Sequence, residues 1–93
     1  PKFNDTDQKR SNLPFILSFD SLNGTHVAKG ETVMLRWHAE NATSVYLEYG
    51  DQSEGVPGIG SKTITIDQTT TFRLLVENWF GVRTMKITIT PSS

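Results

Sequence analysis

The side chains most able to act on another molecule are few: two tryptophans, Trp37 and Trp79, two histidines, His26 and His38, and a scatter of carboxylates. A tryptophan ring can stack on the C–H face of a sugar or fill a pocket on a protein. Trp37 lies in "VMLRWHA", where alternation sets it on one face with Val33 and Leu35, and that places it in a core rather than on a platform. Trp79 precedes Phe80 inside "NWFG", Asn78 to Gly81, a turn signal between two alternating segments. Two aromatics at a hairpin tip cannot both face inward, so Trp79 and Phe80 form the candidate interaction surface. A ligand or protein contact there competes with packing over the end of the fold or against a neighbouring domain.

Other chemistries find less support. Alternation turns His38 outward, and neither histidine stands in a motif with a nucleophile or a paired carboxylate, so the chain is not expected to be an enzyme. Asp20, Asp51, Glu54 and Asp67 fall nearest the expected strand ends, but none belongs to a dense run of oxygen ligands, and neither a metal nor another cofactor is expected. The lack of cysteine removes disulfides and cysteine-based metal sites. Asn4, Asn23 and Asn41 each begin an N-x-T triplet, the acceptor pattern for glycosylation, which competes with the ordinary use of Asn and Thr in turns. The net charge of -1, with nine Lys and Arg residues scattered along the chain, speaks against a nucleic-acid partner.

Positioning these residues falls to short segments of period two, rich in Val, Ile, Thr and Phe and separated by Gly, Asn, Asp and Pro. Strands are expected near 14–20, 31–39, 44–50, 61–66, 71–78 and 82–90, with a short one near 25–28, which makes an all-β sandwich of about seven antiparallel strands in two sheets. The inward sets are Val33, Leu35 and Trp37; Val45, Leu47 and Tyr49; Ile64 and Ile66; Phe72, Leu74 and Val76; and Met85, Ile87 and Ile89. Asn23-Gly24 and Gly30-Glu31 suit positive φ, and "GVPGIG" from Gly55 to Gly60 is expected to leave the ladder as an exposed, mobile loop. Residues 1–13 read as a polar linker or flexible arm, 14–90 as one domain, and 91–93 as an exit linker, with Pro91 ending the last strand. The chain starts at Pro1 rather than Met and holds no apolar run of the roughly 18–20 residues that span a bilayer, so it is expected to be a monomeric segment of something longer, without direct membrane insertion.

The order of residues from Gly30 onward resembles prokaryotic immunoglobulin-like modules of surface and secreted proteins. The residues that carry it are Gly30, Val33, Leu35 and Trp37; Asn41, Ala42, Ser44 and Val45; Gly60-Ser61; Thr69, Thr70, Phe72, Leu74, Val76 and Asn78; and Gly81. Two positions depart from it: Ile66, where such modules often carry Pro, and Phe72, where many carry a Tyr whose hydroxyl would pin a corner. The resemblance implies a non-catalytic spacer or presentation module, extracellular or at the cell surface, whose partners are neighbouring domains of the same chain. The alternative is an adhesion module that takes a glycan or a protein through the 78–81 tip and the 50–60 loop. Fold alone does not choose between them.

Overall fold

The computed structural model describes residues 12–92, so Asn4 and nearly all of the expected arm lie outside the described residues. Eight strands follow in order: β1 (Phe15–Ser21), β2 (His26–Ala28), β3 (Glu31–Glu40), β4 (Ser44–Tyr49), β5 (Gln52–Gly55), β6 (Ile59–Ile66), β7 (Thr70–Asn78) and β8 (Gly81–Ser92). They form two sheets, one in the order β1-β3-β6 and the other in the order β2-β8-β7-β4-β5. Each expected strand is present with limits shifted by no more than two residues.

Three expectations need correction. The strands number eight because Gln52–Gly55 pairs antiparallel with β4, from Tyr46↔Gly55 to Tyr49↔Gln52. They are not all antiparallel, because β2 runs parallel to β8 from His26↔Thr90 to Ala28↔Ser92. The chain leaves its first sheet after Ser21, turns through Gly24 (φ 82°), and resumes in the same direction beside the last strand of the other sheet. Nor does Pro91 end β8: it pairs with Val27. The Thr90 N–H donates to Thr25 O on the β2 side, so by alternation Pro91 lacks only a donor that would face away from β2. On that side β7 has already ended, at Thr70↔Ile89, and no ladder bond is lost.

The sheets face one another across one apolar layer. Val33, Leu35, Trp37 and Ala39 of β3 meet Val45, Leu47, Phe72, Leu74, Val76 and Ile89 of the other sheet, with Phe19, Val27 and Ile66 completing the buried cluster. The missing tyrosine at position 72 is replaced by packing: Phe72 is fully buried, and its ring centroid lies 5.3 Å from that of Tyr49. Met85 is a further correction, since it shares the parity of Ile87 and Ile89 yet is 41% exposed. A three-stranded sheet is too narrow to cover a five-stranded one, and both faces of β8 from Val82 to Lys86 stay in solvent.

The hairpin between β7 and β8 marks one end of the molecule, the tip. β1 starts at this same end, where Phe15 pairs with Glu40, while β8 leaves at the opposite end, the base. β8 alone, with 12 residues, spans the distance between them, about 40 Å at roughly 3.3 Å per residue.

Candidate functional site

Asn78 decides the shape of the tip. Its Oδ1 accepts the N–H groups of Phe80 (2.7 Å) and Gly81 (3.2 Å), and its Nδ2 donates to the carbonyls of Asn12 and Asn41, each at 2.7 Å. Neither Trp79 nor Phe80 has positive φ, so the turn is not one of the mirror-image types that usually close two-residue hairpins. An asparagine side chain holds the two amides instead. Beside it Asn41, at φ 61°, turns β3 into β4 and donates to Leu13 O at 3.1 Å, while Thr43 donates from both N and Oγ1 to Glu77 O. Leu13 packs against Gly81, where an added Cβ would come within 2.8 Å of its side chain.

These bonds commit the side chains of Asn41, Thr43 and Asn78 to the fold itself. What is presented outward is aromatic: Trp79 is 90% exposed and Phe80 58% exposed. Trp79 therefore does not fold over the end of the molecule. A shallow groove of about 300 Å³ runs beside the pair from Asn12 and Asn78 to Ala42 and Thr43.

The 50–60 stretch, expected as one loop, divides into four parts, the last of which, Ile59 and Gly60, already belongs to β6. Gly50 and Asp51 turn at the base, Gln52–Gly55 is β5, and Val56, Pro57 and Gly58 reach the tip end. The 56–58 piece crosses between the sheets under firm constraint, with Val56 N donating to Val45 O (2.9 Å) and Ala39 N donating to Gly58 O (2.7 Å). Trp37, 3% exposed in the core, donates from Nε1 to Pro57 O at 2.8 Å. Gly60 is glycine for contact rather than conformation: a Cβ would stand 3.1 Å from the Trp37 ring. The Asn41–Thr43 turn separates this crossing from Trp79 and Phe80, since both border a groove with it.

The remaining candidates are placed apart. Asp20 faces Arg36 at 3.6 Å, Glu54 accepts from Lys62 at 3.0 Å and from the Tyr49 hydroxyl at 3.4 Å, and Asp51 and Asp67 are exposed. Among the described residues no three His, Cys, Asp or Glu side chains converge. His38 contacts Glu40 at 3.0 Å on the outer face, and His26 lies at the base against Thr25. Asn23 and Asn41 are exposed, but their amides are in use: Asn23 accepts from Met34 N (3.0 Å) and donates to Glu31 (3.3 Å).

Sequence reasoning missed two arrangements. Asn78 was visible only as a turn residue, because its four partners come from three separated segments. Lys62 was not singled out although its parity matches Ile64 and Ile66, which sends a charge toward the interior side of an edge strand. There it reaches Glu54 of the other sheet, and the hydrogen bond to Glu54, with the charges of Tyr49 and Glu54, raises its pKa above the ordinary 10.5. Neither a scan against protein-family models nor a search of curated proteins returned a match.

Proposed function

We propose that this chain is an immunoglobulin-like, non-catalytic spacer or presentation module of a larger secreted or cell-surface protein. The observation that carries the reading is the placement of the chain ends: residue 12 enters at the tip and residue 92 leaves at the base. Modules with that polarity add reach when strung in series, about 40 Å each, whereas modules with adjacent ends fold back on themselves. The sheet orders support the fold part of the reading. A first strand that changes sheet to run beside the last fits an immunoglobulin-like arrangement that lacks the strand between β5 and β6, although Trp37 lies on β3, one strand earlier than the buried tryptophan of antibody domains.

One observation favours adhesion as a second reading: a 90% exposed tryptophan on a turn held by four hydrogen bonds. Three of its polar neighbours, Asn41, Thr43 and Asn78, bond within the fold, which suits an apolar protein contact better than a sugar, whose hydroxyls require free partners. Binding to a panel of cell-surface proteins and glycans, followed by tryptophan fluorescence, separates the two readings. A spacer binds no member of the panel and keeps its Trp79 emission unchanged; saturable binding to a protein that the double change Trp79→Ser, Phe80→Ser abolishes would replace the spacer with the adhesin.

A further inference from the structure

The two open sides of the molecule are finished differently. On one, β5 and β6 are bridged by the Lys62–Glu54 pair and by the crossing at residues 56–58. On the other, β8 is paired with β7 along its length but with β2 only from Thr90 to Ser92. The two-residue hairpin makes Asn78 and Gly81 a hydrogen-bonded pair, so Val82, Thr84, Lys86 and Thr88 direct their N–H and C=O groups away from β7. The Thr90 N–H, of the same parity, confirms the direction by donating to Thr25 O on that side. Four consecutive outward positions thus present a free edge of eight backbone groups with no strand paired to them among the described residues, although β1 of the facing sheet passes close to β8.

Edges of this kind are commonly blunted by shortness, bulges, proline, inward charge or exposed charges such as lysine, and only the last of these is present on β8 from Val82 to Thr88, where like charges oppose pairing with a second copy but not with an acidic strand. β5 is short, β1 carries a bulge at Leu17, and β6 carries Lys62, but β8 is unbroken from Gly81 to Thr90 and exposes Val82 (56%) and Met85 (41%). Its two charges are Arg83 and Lys86, and neither meets a carboxylate among the described residues. Lys86 sits directly opposite Arg73, whose own partner is Glu48. A second copy of β8 would bring cation against cation, whereas a strand bearing carboxylates would neutralise both.

We propose that the edge of β8 from Val82 to Thr88 docks an extended, acidic segment of a partner protein, added as a further strand to the five-stranded sheet. Backbone bonds to the four outward residues hold the segment; Arg83 and Lys86 select its charge, and Met85 receives an apolar side chain.

The test uses the whole chain and two synthetic peptides of about ten residues of Val and Thr, with Glu at every third position in one and Lys there in the other, so that the charges fall on both faces as those of Arg83 and Lys86 do. Amide exchange is followed residue by residue. The Glu peptide is expected to slow exchange at Val82, Thr84, Lys86 and Thr88 about tenfold and to leave the β6 edge unchanged, while the Lys peptide does neither. Thr84→Pro removes an outward donor without touching the β7 ladder and abolishes the protection; the double change Arg83→Glu, Lys86→Glu, which leaves the backbone intact, reverses the preference toward the Lys peptide. Equal protection by both peptides, protection at β6 instead, no protection by either, or slowed exchange at β8 through dimers of the chain alone would each overturn the proposal.

Discussion

Trp37 and Asn78 show how differently two residues of one chain reveal themselves. Trp37 was legible as core because its neighbours at spacing two are Val33 and Leu35, and it is 3% exposed. Replacing it with Ala removes a large buried ring and strands Pro57 O, so Trp37→Ala is expected to lower stability by about 3–5 kcal/mol in urea unfolding, a large part of the roughly 5–10 kcal/mol of a small domain. Gly60→Ala presses a methyl group on the same ring from 3.1 Å, with an expected loss of about 1–2 kcal/mol and a shift in Trp37 emission. Asn78 looked like any turn asparagine. Asn78→Asp keeps the carbonyl-like acceptor for Phe80 and Gly81 but loses both donors and places a carboxylate against the carbonyls of Asn12 and Asn41. It should cost about 2 kcal/mol and speed amide exchange around Leu13 while sparing the base.

The strands were readable because period two and turn residues are local signals, whereas the errors fell where the outcome depends on distant segments. "GVPGIG" was expected to leave the ladder because glycine and proline weaken it, but Gly55 still pairs with Tyr46 and Ile59 and Gly60 pair with His38 and Trp37, so only residues 56–58 stand outside, held by bonds to Trp37, Ala39 and Val45. The direction of β2 and the exposure of Met85 likewise depend on which strand lies beside or opposite, which a single sequence does not record. At this scale the bridge from Lys62 to Glu54 makes a pH-dependent prediction. The folded state raises the Lys62 pKa, so its stabilisation is present in full below the ordinary value of 10.5 and is lost as pH rises through the folded value. The urea midpoint of the wild type should exceed that of Lys62→Met by a constant margin from neutral to mildly alkaline pH, and the margin should vanish under strong alkali. A margin that persists there would assign the effect to packing of the lysine stem instead.

The whole molecule carries its argument in its polarity. β1 begins at the tip and β8 ends at the base, so tension on the chain ends runs along the strands and loads the parallel β2–β8 bonds sideways. The tip offers two aromatics beside the entry of residue 12, while the β8 edge lies along the side, away from both ends. The most direct measurement is small-angle X-ray scattering on the single chain and on two and three copies fused through residues 1–11. A spacer predicts a maximum dimension that grows by about 40 Å or more with each copy; a dimension that stays nearly constant as copies are added, because the modules fold back tip against tip, would contradict it.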